Sequence, residues 1–191
     1  AATNPIWSLE ESQCLLTFNA NVTEEHNVAA IPIKKNVKAG GKLLVIDSRE
    51  VELTRYATIW LRPIPGTELI LLGGLLKALD AQGLTNAEWI AQHWDKSEVF
   101  LGSVRGMDLA QVSLETSVPR DKIEEASRLF AQAKPAAIIY ALDNVVRELR
   151  TDCVKSLVGL TLLTGNIGVP GGGLYPLRQG ANEQGAWDVG C

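Results

Sequence analysis

Residues 40–47 read Gly-Gly-Lys-Leu-Leu-Val-Ile-Asp, and this stretch decides the fold class. The apolar run at residues 43–46 predicts a strand buried on both faces, because a strand with one face in water alternates apolar and polar residues. The glycine pair before it is typical of a helix end. Asp47 closes the strand with a polar group. A buried strand that directly follows a helix predicts a parallel sheet covered by helices.

The same alternation of apolar strands and helices runs along the rest of the chain. Further apolar runs predict strands at residues 14–18, 58–61 and 136–140. The predicted fold is α/β, a Rossmann-like three-layer sandwich with a mainly parallel sheet, right-handed crossovers and an irregular glycine-rich segment at residues 167–191. Apolar side chains at helical spacing and capping residues predict helices at residues 5–11, 24–38, 68–81, 86–93, 108–116, 119–133 and 143–163.

Length and composition restrict the function. A chain of 191 residues with 46% hydrophobic and 21% charged residues predicts one globular domain, residues 1–191. The net charge of −4 gives a nucleic-acid partner no electrostatic support. No apolar run is long enough to cross a bilayer, so we expect no direct membrane insertion. Both ends of the sequence break off abruptly, which we interpret as the ends of a fragment.

The cysteines, Cys14, Cys153 and Cys191, are far apart and show no metal-binding spacing. We therefore expect no metal site within the chain, and we expect Cys14 and Cys153 to be small buried residues. Unpaired thiols favour a reducing compartment, so the expected location is cytoplasmic.

Polar or glycine-containing loops follow the first three predicted strands, at residues 19–21, 47–49 and 65–68. In an open parallel sheet, ligands bind beyond the carboxyl ends of the strands, so these loops line one crevice if the strands are neighbours. Asp47 can accept hydrogen bonds from ribose hydroxyls. The carboxylate of Glu68 can accept two hydrogen bonds from guanine. The loops together predict a nucleotide site.

Positive charge for a diphosphate is also available, from Arg49 and from Lys34 or Lys35. Each residue has a structural alternative as well: Asp47 and Glu68 as helix caps, and Arg49 as a solvated surface charge. Neither a GxGxxG fingerprint nor a P-loop occurs, which argues against a site for NAD, FAD or a nucleoside triphosphate.

The glycine-rich end carries the most specific pattern. Residues 163–173 read LTGNIGVPGGG, and residues 176–190 read PLRQGANEQGAWDVG. So much glycine is entropically costly unless the backbone must approach another group closely. A flexible linker fits poorly, because Asn, Gln, Arg and Trp are interleaved with the glycines.

These two segments resemble the stretch LTGNxGxPGGGxxPxRGxxNxQGAxDMG of molybdopterin oxidoreductases. Residues 40–61 are similar to the segment GAKLIVIDPRxTxxAxxAD of that family, and residues 62–79 are similar to its RPGTDxALLxGxxxxI segment. The resemblance covers essentially the whole chain. The pattern is closest to formate dehydrogenase large subunits and to the related subunit of NADH–quinone oxidoreductases.

The resemblance implies that the chain binds one of the two molybdopterin guanine dinucleotides of a catalytic subunit, with Mo or W as the metal. The matching positions imply contacts with its guanosine and diphosphate part and, for one arginine, a place near the active-site channel. The candidate cofactor-binding residues are Asn21, His26, Asp47, Arg49, Gly66 and Glu68, of which His26 also fits a capping role, and the candidate catalytic residue, on the substrate side, is Arg178.

In the full-length subunit, the resemblance implies oxidation of formate or a similar small substrate by two electrons. The iron–sulfur cluster motif and the cysteine or selenocysteine ligand of the metal are not among these residues, which predicts part of an enzyme that is inactive in isolation. The expected partners are the remaining domains of the same subunit, iron–sulfur electron-transfer subunits and the small-molecule substrate, with no nucleic acid.

The chain departs from the family pattern at several positions. The glycine after the first strand is Asn19, the DPR proline is Ser48, residues 141–144 replace a glycine-rich loop near the pterin, and the RGQ run is exchanged to Gln179-Gly180 after the arginine. Two alternatives remain open. One is a structural, cofactor-less module of an NADH–quinone oxidoreductase large subunit. The other is an unrelated nucleotide-binding domain, such as the middle domain of a thiamine-diphosphate enzyme.

Overall fold

The computed structural model describes residues 2–178 and 183–190. In this part of the chain, one sheet has the strand order β3-β2-β1-β4-β5, and all neighbouring strands are parallel. The prediction of an α/β fold with a parallel sheet is therefore confirmed. The strands are β1 (Cys14–Phe18), β2 (Lys42–Ile46), β3 (Ile59–Leu61), β4 (Ala136–Tyr140) and β5 (Gly173–Pro176).

Helices cover both faces of the sheet. No helix within the described ranges is long and apolar enough to cross a membrane. The α-helices are α1 (Val22–Glu25), α2 (Asn27–Lys38), α3 (Glu68–Ala81), α4 (Ala87–His93), α5 (Ser97–Arg105), α6 (Leu109–Thr116), α7 (Arg120–Gln132), α8 (Arg150–Leu163) and α9 (Glu183–Asp188), and short 3₁₀ helices span Ile6–Glu11, Glu52–Tyr56 and Arg147–Leu149.

Successive side chains of each strand enter two separate cores. In β2, Leu44 and Ile46 pack with α3, α7 and α8 on one face of the sheet. Leu43 and Val45 pack with α2 on the other face. Because both faces are covered, the strand is apolar from Leu43 to Ile46, as the sequence predicts. Each fully buried aliphatic side chain contributes about 1.5–3 kcal/mol to the free energy of unfolding.

Some predicted helix bounds are wrong. The helix predicted at residues 24–38 is divided by His26, whose φ of −143° is not helical, while Pro32 lies inside α2 without ending it. The last long helix begins at Arg150 rather than at residue 143. The guanidinium of Arg150 donates to the carbonyl oxygens of Val145 and Asp143, and these bonds hold the preceding residues in a non-helical turn.

The prediction that residues 167–191 are irregular is wrong for two stretches. β5 and α9 lie within this segment, while residues 179–182 and 191 are outside the described residues. β5 begins with a glycine and ends with a proline, which are both poor strand formers. Pairing with β4 makes it a strand, and this contact cannot be read from local sequence.

The glycines at residues 171–173 pack against the protein's own N-terminal segment and the start of β4. A Cβ on Gly171 would lie 3.1 Å from the Cβ of Glu11, and one on Gly173 would overlap Thr3. Asn4 Nδ2 holds the same tract by donating to the carbonyl oxygens of Val169 (2.8 Å) and Gly172 (2.9 Å). The glycines predict that the backbone approaches another group closely, and that group is another part of the same chain.

Both described cysteines are buried, as predicted. Burial raises the pKa of Cys14 to about 12 and that of Cys153 to about 11. Because the thiolate is the reactive form, we expect both side chains to resist a thiol reagent at pH 8 and to react once the chain is unfolded in denaturant. Mass spectrometry of the modified peptides measures this. Rapid labelling of either thiol in the folded chain would contradict the buried placement.

Candidate functional site

The candidate residues other than Lys34 and Lys35 lie in segments that follow the carboxyl ends of strands, which meet at one edge of the sheet. Backbone pairing continues one residue past β1 and β4: the Asn19 N–H donates to the carbonyl of Ile46 at 2.8 Å, and the Ala141 N–H to that of Phe18 at 3.0 Å. The strand order reverses between β1 and β4, since β2 and β3 extend to one side and β5 to the other. Ligands of open parallel sheets bind at such a switch point.

Asp47 and Arg49 form a tight pair at the end of β2. Asp47 is 1% exposed, and its Oδ1 accepts from Arg49 Nε at 3.0 Å while Oδ2 accepts from Nη2 at 3.0 Å. The Arg49 backbone N–H also donates to Oδ1, at 2.9 Å. This hydrogen bonding raises the pKa of Arg49, and the charges of Glu25 and Glu24 add to the effect. Asp47 therefore fixes the direction of the guanidinium.

Asn144, in the loop after β4, contacts the other side of the same guanidinium. With its amide oxygen toward Arg49, it accepts from Nη1 at 2.8 Å and from Nη2 at 3.0 Å; the reverse orientation would set amide N–H groups against guanidinium N–H groups. Sequence reasoning did not select Asn144 as a site residue. It entered only as part of a loop that departs from the family pattern.

The residues after β1 lie in a short helical turn. Asn21 precedes α1, and its Nδ2 donates to Glu24 Oε2 at 2.8 Å. His26 ends α1 and begins α2, where its carbonyl oxygen accepts from the Ala30 N–H at 3.2 Å. His26 thus occupies the cap position of α2, although its side chain makes no capping hydrogen bond. Its role toward a cofactor stays a prediction.

Gly66 and Glu68 lie between β3 and the first turn of α3. Gly66 has φ +90°, a left-handed conformation that glycine adopts without strain, so the turn itself requires it. Glu68 is 2% exposed, and its Oε2 receives no hydrogen bond from the described residues. Its negative charge is one cause of the raised pKa of Cys153, after burial. Glu68 is thus a buried carboxyl group whose Oε2 lacks a donor among the residues that the structure describes.

Glu68 does not join the Asp47–Arg49 pair. α3 packs on the face of the sheet to which Ile46 points, whereas the alternation along β2 directs Asp47 to the opposite face. The structure therefore offers two polar positions at one edge of the sheet. One consists of Asp47, Arg49 and Asn144, and the other is Glu68.

Arg178 follows β5 and lines a cavity of about 290 Å³ together with Tyr140, Asp143 and Arg150. Burial raises the pKa of the Tyr140 hydroxyl, and the positive charge of Arg178 partly offsets this shift. The cavity combines two guanidinium groups, one carboxylate and one phenol at the ends of β4 and β5. The two guanidinium groups suit a small anion, whereas the carboxylate opposes one, and the substrate-side role of Arg178 stays a prediction.

The lysines considered for a diphosphate are engaged elsewhere. Lys34 Nζ donates to Glu52 Oε1 at 2.7 Å, and Lys35 Nζ donates to Glu10 Oε1 at 3.0 Å. Among the candidate cations, only the guanidinium of Arg49 lies at the ends of β1 and β2. No cluster of three or more metal-ligating side chains occurs in the part of the chain that the structure describes.

The buried polar atoms at the end of β1 were missed. Thr17 Oγ1 and Asn19 Nδ2 are buried and lack a hydrogen-bond partner among the described residues, and Asn19 has a left-handed φ of +49°. The sequence pointed to Asn19 only as part of the loop at residues 19–21 and as the replacement of a glycine of the family pattern. Its positive φ explains why glycine also suits this position.

Comparisons with known proteins identify the sequence pattern. Residues 1–191 match the family described as molybdopterin oxidoreductase. The chain is 32% identical, over all of its 191 residues, to the F420-dependent formate dehydrogenase 2 subunit alpha of Methanococcus maripaludis, and it covers 28% of that protein. It is 29% identical, over the same length, to formate dehydrogenase H of Escherichia coli strain K12, of which it covers 27%. The chain thus spans just over a quarter of these relatives.

A solved structure has the same fold. Acetylene hydratase from Pelobacter acetylenicus superposes with a TM-score of 0.75 over 85% of this chain and 24% of that chain, at 22% sequence identity. At that identity, the likeness concerns the fold alone. It supports the arrangement of strands and helices described above.

Proposed function

Because this chain belongs to the molybdopterin oxidoreductase family, an enzymatic family of oxidoreductases, we propose that it holds the guanosine end of a molybdopterin guanine dinucleotide. The observation that carries the proposal is Glu68. A buried carboxyl oxygen without a donor costs about 1–3 kcal/mol, so such a group calls for a ligand or water that donates. The N1–H and amino group of guanine are two such donors, side by side.

The second polar position would hold the diphosphate. Arg49 is kept in place by Asp47, and its guanidinium matches the geometry of phosphate oxygens. Asp47 would also accept hydrogen bonds from the ribose hydroxyls. Asn21, His26 and Gly66 remain candidate contacts at the same edge. The residues present therefore fit the nucleotide part of the cofactor.

We propose that the whole subunit is a formate dehydrogenase. The relatives named above that are formate dehydrogenases support this assignment, and when bound, the molybdenum or tungsten centre would accept two electrons from formate. In this chain, Arg178 would bind the anion on the substrate side. We propose that residues 1–191 form one domain, inactive alone, that functions with the rest of the subunit, with an iron–sulfur cluster located elsewhere and with electron-transfer subunits. Buried thiols outside any disulfide fit a cytoplasmic location.

One observation favours the alternative of a structural module without cofactor. Asn144 occupies the outer side of the Arg49 guanidinium, where a phosphate would bind. In that case the polar residues at the carboxyl ends of the strands would serve only to hold the loops in place. The two functions differ in whether the chain binds a guanine nucleotide at all.

Binding of guanosine diphosphate (GDP) tests the proposal on the 191-residue chain. The chain exposes 9299 Å² of surface, close to the roughly 8,900 Å² expected of a folded monomer of its mass, so it is suited to study alone. GDP at a hundred times its Kd should raise the free energy of unfolding by about 2.7 kcal/mol. That stabilisation corresponds to a rise in melting temperature of about 5–10 °C.

Asp47→Ala should abolish this shift, because Arg49 loses the carboxylate that orients it. The exposed Asp95, in the loop between α4 and α5, provides a matched control: Asp95→Ala should keep the full GDP response. An equal response of wild type and Asp47→Ala would refute the guanosine site. Absence of any response in the wild type would favour the structural module.

A further inference from the structure

We propose that Asn144 is a further residue of the nucleotide site. Its side chain reaches across the crevice to the phosphate-binding side of the Arg49 guanidinium, and the diphosphate takes its place on binding. This inference rests on the proposed function. It assigns to the loop after β4 a direct effect on cofactor affinity.

The two sides of the Arg49 guanidinium have different partners. The side formed by Nε and Nη2 faces the carboxylate of Asp47, at 3.0 Å for both bonds. The side formed by Nη1 and Nη2 faces the amide oxygen of Asn144, at 2.8 and 3.0 Å. A guanidinium can therefore keep its pairing with Asp47 while the Asn144 side takes another ligand.

The contact spans the switch point of the sheet. Arg49 follows β2 and Asn144 follows β4, and β1 lies between these two strands. The pair of side chains thus crosses the carboxyl end of β1, where the crevice of an open parallel sheet lies. A diphosphate at this position has to displace the amide in order to reach Arg49.

The loop is held so that only the Asn144 side chain needs to move. Arg150 Nε donates to the Val145 carbonyl at 3.1 Å and Nη2 to the Asp143 carbonyl at 3.2 Å, on either side of Asn144. Val145 is buried at 2% exposure, while Asn144 itself is exposed. A rotation about its side-chain bonds therefore removes the amide and leaves the backbone in place.

Replacement of the Asn144 amide by a phosphate at Arg49 is chemically favourable. One neutral amide oxygen serves two N–H groups, whereas a phosphate offers two charged oxygens in the spacing of the guanidinium fork. The negative charges of Glu24 and Glu25 act against the phosphate, since they act electrostatically on Arg49. Asn144 and these carboxylates together keep the affinity below what Arg49 alone would provide.

Calorimetric titration of the 191-residue chain with GDP and with guanosine tests this role. Asn144→Ala should tighten GDP binding by about fivefold, because the phosphate no longer competes with a hydrogen bond to a charged group. Asn144→Asp should weaken GDP binding by about tenfold or more, because a carboxylate pairs with Arg49 and repels phosphate. Guanosine, which lacks phosphate, should bind all three proteins equally.

The sign of the change separates this role from a purely structural one. If Asn144 only tethered the loop, Asn144→Ala would weaken binding of both ligands and lower the melting temperature. The exposed Asn27 at the start of α2 provides the control, and Asn27→Ala should leave both affinities unchanged. Unchanged or weaker GDP binding by Asn144→Ala, or an equal gain for guanosine, overturns the inference alone. Failure of the wild type to bind either ligand overturns the proposed function, and this inference with it.

Discussion

Replacing Glu68 by glutamine should weaken GDP binding by about a hundredfold, since two hydrogen bonds to a charged acceptor are replaced by one to a neutral amide oxygen, a difference of roughly 3 kcal/mol. Guanine presents two donors in a row, N1–H and the amino group. A carboxylate meets both with acceptors, whereas the glutamine amide would set one N–H group against them. Calorimetric titration of Glu68→Gln with GDP measures the change.

The ligand-free chain should respond differently. Glu68 is 2% exposed and its Oε2 lacks a donor among the described residues, so removal of its charge should leave the melting temperature at least as high as in the wild type. Inosine diphosphate, which lacks the amino group, should bind the wild type about tenfold more weakly than GDP. It should bind Glu68→Gln as weakly as GDP does. A variant that still discriminates GDP from inosine diphosphate would place guanine elsewhere.

Gly172→Ala should lower the free energy of unfolding by about 3 kcal/mol, because the added methyl group meets backbone that cannot move aside. A Cβ at this position would lie 2.6 Å from the backbone oxygen of Asn166 and 2.7 Å from Val169 Cγ2. The backbone oxygen cannot yield easily, because the Asn166 side chain also accepts from the Ala136 N–H at 2.8 Å. In a chain of this length, the melting temperature should fall by about 6–12 °C.

Gly102→Ala provides the matched control for this substitution. Gly102 lies inside α5, and a Cβ there would meet nothing within 4 Å. Alanine should therefore stabilise the chain by up to about 1 kcal/mol through its higher helix propensity. If thermal unfolding finds Gly172→Ala as stable as wild type, the tight packing before β5 is wrong.

The predicted parts of the fold are those that depend on local sequence. The apolar run at residues 43–46 is a buried strand because no polar side chain is available for either face. The helix from Glu68 to Ala81 has the bounds that the leucine spacing predicts. The helix start at residue 143 failed because Arg150 bonds to carbonyl groups five and seven residues earlier in the chain, and such a bond has no local signature.

The sequence predicted which residue types form the candidate site and at which edge of the sheet they lie. It did not predict which of these residues lie together. Polar residues after consecutive strands indicate a shared edge, because parallel strands point the same way. The sequence does not state to which face each side chain turns. From the sequence, Asp47 and Glu68 were therefore assigned to one nucleotide site. The structure places them apart and brings Asn144 to Arg49 instead.

By itself, the sequence determined that this protein is a parallel α/β domain with acidic and basic groups at its strand ends, since apolar periodicity and strand direction are local properties. Only the tertiary structure decided that β5 forms and that the glycines at residues 171–173 pack against the N-terminal segment. It also decided that Asn144 crosses the end of β1 to reach Arg49. Those features depend on contacts between residues far apart in the chain, and such contacts exist only once both strands have joined the same sheet.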